Sequence, residues 1–183
     1  MKTKFLILLL SCSCSVCFAQ ETIKQDSVQN KKNNVQHNLF MELGGGLMFY
    51  YYYNITYDCS FVLAEKHKIS IATGIQHNMP PIPYFGVLTQ VNYLYGKKNH
   101  HLEIGTGVNC VIAFYRPHEP DEWKWDMGYG FVIPVRIGYR YQRKEGGLFW
   151  KIAFVPSVTP FGDFSITPNA GVAIGYTFKN KKR

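Results

Sequence analysis

No stretch of this chain stays apolar for the ~18 consecutive residues that a membrane-crossing helix needs, and the apolar run opening at Phe5–Leu10 is itself too short. Helical membrane proteins are excluded. Cysteine is scarce where it would matter. Of five cysteines, Cys12, Cys14 and Cys17 crowd the extreme N-terminus. Cys59 and Cys110 remain, on segments that should not be neighbours, so neither a bridge nor a metal or redox centre is expected. Charge is thin as well. Charged residues make up 17% of the chain and almost none falls inside the alternating segments described below, whereas a water-facing strand surface carries several Lys and Glu. The formal charge of +8 is spread over turns and a tail rather than gathered in one patch. Nucleic acid is therefore not an expected partner.

What is present begins with an export signal over residues 1–19. Lys2 and Lys4 form a basic start, and Cys17-Phe18-Ala19 ahead of Gln20 forms a small-residue cleavage site. A competing site at Leu9-Leu10-Ser11-Cys12 would place a lipid on Cys12; the short apolar run before it favours cleavage after Ala19. Residues 20–37 are polar, with few large apolar side chains, and read as a flexible leader.

The rest of the chain alternates. In the last segment Ala170, Val172, Ile174, Tyr176 and Phe178 share one face, while Gly171, Ala173, Gly175 and Thr177 share the other. A period of two is the signature of a strand with one apolar side. The pattern recurs over roughly 38–47, 50–61, 68–76, 87–95, 102–114, 129–141, 148–155 and 169–178, with ends uncertain by about ±2–4 residues. The connections fall into two classes. Those at 65–68, 96–99 and 143–147, and the tail 179–183, are short and basic, with Lys66, Lys68, Lys97, Lys98, Arg143 and Lys144. Those at 77–86, 115–128 and 156–167 are longer and on balance acidic. Outer-membrane barrels have short periplasmic turns and longer external loops, which would put both termini in the periplasm.

Which face points outward decides the class. An eight-stranded interior is just wide enough for side chains to fill, and the bulky residues are too many for it: Phe131, Ile133, Val135, Ile137, Tyr139 and Tyr141 come from a single segment. The opposite face is rich in glycine, including Gly44, Gly74, Gly105 and Gly138. Small residues suit a crowded lumen and bulky ones suit lipid. Tyrosines near segment ends (Tyr50 to Tyr53, Tyr93, Tyr95, Tyr139, Tyr141, Tyr176) fit two interfacial girdles. The expected fold is all-β: a monomeric eight-stranded antiparallel transmembrane β-barrel of up-and-down topology over residues 38–178, followed by a basic C-terminal tail, 179–183.

Three stretches carry a resemblance: NLFMELGGGLMFYYYYNITYD at 38–58, VNYLYGKKNHHLEIGTGVN at 91–109 and VRIGYRYQRKEGGLFWKIAF at 135–154, with the closing GVAIGYTFK. Together they resemble small outer-membrane β-barrel proteins of Bacteroidetes, mostly of unassigned function. The resemblance implies an outer-membrane location and a last strand read by the barrel assembly machinery, with Phe178 as its terminal aromatic. This chain departs from that pattern by adding Lys179 to Arg183. The family brings no catalytic residues and no cofactor.

Strand phase places Glu42, Glu103, Arg136, Arg140 and Lys151 in the lumen, with Glu103 and Arg140 close enough to pair. Charges in a narrow lumen must be paired or hydrated, so a salt-bridged interior is expected ahead of a small-solute pore. Loop 115–128 is the most distinctive external feature. Glu119, Asp121, Glu122 and Asp126 beside Trp123 and Trp125 form a candidate binding loop for an envelope protein or extracellular ligand; no spacing there matches a calcium loop. His77, His118, Asp163 and Ser165 lie on external connections, where a rim enzyme acting on lipid A or phospholipid would need them. Nothing in the sequence fixes their geometry, and the expectation is that the protein is not an enzyme. Pro134 removes a ladder donor inside a strand, so a bulge is expected there, with a seam for lateral lipid entry as the alternative. The basic turns are expected to meet anionic headgroups of outer-membrane lipid.

Overall fold

A computed structural model describes residues 35–46, 51–79, 83–115, 126–160 and 164–178. The strands are β1 (Val35–Gly46), β2 (Tyr51–Ala64), β3 (His67–Asn78), β4 (Tyr84–Lys97), β5 (His100–Tyr115), β6 (Asp126–Gln142), β7 (Gly147–Phe154), β8 (Ser157–Thr159), β9 (Ser165–Thr167) and β10 (Asn169–Phe178). Each of β2 to β7 pairs antiparallel with its predecessor in the chain, and β10 pairs with both β7 and β1. The first and last strands therefore close the sheet on itself.

Ten segments make eight staves. Ile137 lies opposite Phe154 and Ile133 opposite Val158, which is one register on both sides of Val155-Pro156. On the other edge Ala170 faces Phe154 and Thr167 faces Ser157, again without a slip. So β7 and β8 are one strand interrupted at Pro156, and β9 and β10 are one strand interrupted at Pro168. Each proline removes a ladder donor but leaves the chain extended.

Pro134 behaves the same way, and here the expected bulge is absent. Thr106 pairs with Val135 and Asn109 with Val132 in unbroken register. The ladder simply lapses at the proline, where the Thr106 hydroxyl donates to the Pro134 carbonyl at 3.1 Å. The Val135 amide donates to Pro156 O at 2.9 Å. The one shift in the ring's ladders among the described residues lies instead between Val62 and Ala64, against β3.

The period of two sets the radial order. Along β10 the even-numbered residues from Ala170 to Phe178 are exposed, while Asn169, Gly171, Ala173 and Thr177 are buried. Leu43, Ile55, Ile75, Leu102, Ile152 and Ile174 all lie more than half exposed on the outer wall. β1 starts at Val35, so residues 35–37, assigned to the leader from sequence, belong to the first stave; residues 1–34 and the tail lie outside the described residues. Tyr52 departs from the girdle expectation. It is 8% exposed and points inward, and Gly44 opposite it leaves room for its ring, since a Cβ there would collide with Tyr52 Cζ.

The turn between β4 and β5 carries a left-handed residue that is not glycine, Lys98, with φ 56°. Such a conformation costs an L-residue about 1–2 kcal/mol, and the first position of a two-residue hairpin turn with positive φ favours glycine. Lys98→Gly is expected to raise stability by roughly 0.5 kcal/mol after the unfolded-state entropy of glycine is set against the relief. The shift in the urea midpoint of refolded barrel measures it.

Candidate functional site

The lumen holds the chain's chemistry. Glu42 stands on β1, Asp58 on β2, Glu103 on β5, Arg136 and Arg140 on β6, and Lys151 on β7. The structure brings together all five residues expected there from sequence and adds Asp58. Arg136 Nη2 donates to Glu42 Oε1 at 2.8 Å. Arg140 donates through Nε to Glu103 Oε2 at 2.9 Å and through Nη1 to Asp58 Oδ2 at 2.6 Å. Lys151 Nζ lies 3.4 Å from Glu42 and 3.7 Å from Glu103, while Arg136 Nε reaches Glu103 at 3.8 Å. None of the six is more than 2% exposed. Three acids face three bases, so the cluster carries no net charge. All the acids come from β1, β2 and β5, and all the bases from β6 and β7.

Two inward aromatics brace the cluster. Lys151 Nζ sits 3.9 Å above the Phe40 ring, and the Arg140 guanidinium sits 5.6 Å from the centre of Phe149. The two rings meet edge to face at 5.7 Å. Cations over ring faces gain from the ring quadrupole, more so when desolvated. Toward the short-turn end a neutral layer follows. Gln142 Nε2 and Thr177 Oγ1 both donate to Asn38 Oδ1, at 2.8 and 2.7 Å.

Toward the long-connection end the lumen widens into a cavity of about 360 Å³. Glu42 and Arg136 form its floor, and Tyr52 donates to Glu42 at 3.2 Å. Amides such as Asn54, Gln76, Gln90 and Asn109 line one part of the wall, and Val132, Pro134 and Val155 another. Asp58 and these amides went unnoticed in the sequence reading, although the signal was there. In β2, Tyr52, Asn54, Thr56, Asp58 and Ser60 recur at every second position and are all buried.

The remaining candidates do not gather. Glu119, Asp121, Glu122, Trp123 and Trp125 lie outside the described residues, and so do His118 and Asp163. Asp126 opens β6 opposite Tyr115. His77 is on β3, its ring between Tyr53 at 5.1 Å and Phe85 at 4.4 Å. Ser165 opens β9, which pairs with β8 and not with β3. Among the described residues no group of His, Cys, Asp or Glu is arranged to hold a metal ion. Cys59 and Cys110 form no disulfide among the described residues.

No family model matches the chain, and no curated protein matches it. Among solved structures it is similar to the N-terminal β-barrel domain of Pseudomonas aeruginosa OprF, with a TM-score of 0.53 at 13% identity over 79% of this chain and 96% of that one. It is also similar to Ail, the attachment invasion locus protein of Yersinia pestis, with a TM-score of 0.50 at 7% identity over 79% and 96% of the two chains. Identities this low speak to fold alone. The chain is a closed eight-stranded antiparallel β-barrel of the architecture seen in small outer-membrane barrels.

Proposed function

We propose that this protein is a monomeric, non-catalytic outer-membrane barrel whose lumen is closed by its ion network and whose role is structural or surface-interactive. The observation that carries this reading is the inversion of the usual protein layout: an exposed apolar wall around a buried, neutralised cluster of six ions. Water would penalise the wall, and lipid would not. The resemblance to Bacteroidetes barrels of unassigned function supports the same location. The short connections then face the periplasm together with both termini. The longer ones face outward, with the loop holding Trp123 and Trp125 available to an envelope protein or an extracellular ligand. Outer-membrane lipid and the barrel assembly machinery are the partners this placement requires.

A closed lumen makes a direct prediction. An ion crossing the barrel must displace Arg136, Arg140 or Lys151 from its acids, and separating one partner of a buried pair costs roughly 3–5 kcal/mol. Purified barrel reconstituted into planar bilayers is expected to show no steady conductance. A stable open level in the unmodified protein would replace this reading with a small-solute pore.

A further inference from the structure

One arrangement on the outer wall is repeated, and nothing in the closed lumen explains it. His37 on β1 hydrogen-bonds through Nδ1 to the Tyr57 hydroxyl on β2 at 2.6 Å. His67 on β3 does the same with Tyr93 on β4, and His100 on β5 with Tyr139 on β6. The geometry is the same each time. The histidine stands opposite residue 59, 95 or 141 of the next strand, and the tyrosine that it bonds lies two positions before that partner. All three pairs sit at the short-turn end, on alternate staves. The fourth hairpin, which opens with Gly147, lacks the pair.

Basic residues share the rim with each pair, alongside the acids Glu65 and Glu145. Lys66 directly precedes His67, and Lys97, the last residue of β4, and Lys98, in the turn, lie just before His100. The β6–β7 turn lies against the start of β1, where Gln36 Nε2 donates to the Lys144 carbonyl at 3.1 Å. The turn that carries Arg143 and Lys144 thus sits at the same rim as His37, the residue after Gln36. In each pair Nδ1 faces the tyrosine, which leaves Nε2 outside the pair. When the hydroxyl donates to Nδ1 the neutral ring carries its proton on Nε2, and in the charged ring Nε2 is protonated while Nδ1 donates to the tyrosine oxygen.

We infer that the three His–Tyr pairs with their neighbouring lysines and arginines form a collar of phosphate-binding stations for anionic phospholipid at the short-turn rim. Each station offers an aromatic body for the interface, an Nε2–H donor and a basic side chain for the phosphodiester. This inference rests on the proposal that the barrel spans a membrane, and its test separates the two. Full-length barrel is inserted into vesicles of equal phosphatidylcholine and phosphatidylglycerol, and the lipids it retains on extraction are counted by native mass spectrometry. Failure to insert would defeat the membrane reading itself. Inserted barrel is expected to retain phosphatidylglycerol over phosphatidylcholine by about fivefold, the factor one basic contact supplies at a membrane surface. Equal retention overturns the collar.

His37→Phe, His67→Phe and His100→Phe combined keep the aromatic bulk and are expected to lower the preference to below about twofold, the remainder being long-range attraction from the turns. An unchanged preference in that variant overturns the role of histidine. If the triple variant does not refold, the three single variants serve, each expected to lower the count of retained anionic lipid and each overturning its own station if it does not. Inorganic phosphate in the buffer should leave retention unchanged; displacement by it overturns the assignment to lipid.

Discussion

Arg140→Leu is expected to remove about 3–5 kcal/mol of stability, the scale for a buried pair broken on one side. Arg140 is fully buried and bridges Asp58 at 2.6 Å and Glu103 at 2.9 Å. Leucine fills part of the space but leaves two carboxylates behind. Glu103 keeps more distant cations, Lys151 at 3.7 Å and Arg136 at 3.8 Å. Among the described residues Asp58 keeps the Ser60 hydroxyl, which donates to it at 3.3 Å, and the charge of the buried Lys68, with which it makes no ion pair within 4 Å. Asp58 therefore suffers most, and Asp58→Asn in the Arg140→Leu background is expected to recover a substantial part of the loss. Urea unfolding of barrel refolded in vesicles, followed by tyrosine and tryptophan fluorescence, measures both variants. A loss below about 1 kcal/mol, the size typical of exposed ion pairs, would mean that water solvates the cluster and that the lumen is open.

The second large effect lies on the opposite side of the wall. Ile174 is 63% exposed at the middle of β10, with Met41 and Trp150 as its cross-strand neighbours. At the midplane of a bilayer an arginine there costs about 2–4 kcal/mol. In water the same exposed substitution would usually stay within about 0.5 kcal/mol. Ile174→Arg is thus expected to refold in detergent yet lose heavily in vesicles, and the difference between the two media is the readout. Equal stability in both would contradict a lipid-facing wall.

Much of this was legible before any coordinates. Alternation alone placed all eight staves, because a half-lipid, half-lumen strand cannot hide its period; Val172 and Ile174 against Gly171 and Ala173 suffice for β10. It also placed Glu42, Glu103, Arg136, Arg140 and Lys151 on the inner face. Asp58 shares the inward phase of Asn54 and Thr56, but its partner Arg140 lies on β6, far along the chain, where no local pattern points to the pair. Tyr52 was misread for a different reason. In a run of four tyrosines, composition says girdle, and only parity sends Tyr52 inward to Glu42. Pro134 was read as a bulge because a proline cannot donate to a ladder. Two facts that sequence does not show make a bulge unnecessary: the Thr106 hydroxyl takes up its carbonyl, and Pro156 O accepts from Val135 nearby. The His–Tyr pairs were invisible for a simpler reason, since each joins residues whose register no local pattern fixes.

The split of the ionic cluster between chain halves bears on how the barrel is made. Hairpins entering lipid one after another would carry Glu42, Asp58 and Glu103 in ahead of Arg136, Arg140 and Lys151, with Lys68 on β3 the one buried lysine among the early strands described. A half-inserted chain would hold these carboxylates apart from their arginines, at the cost of unpaired buried charge. Insertion is therefore expected to be coupled to ring closure.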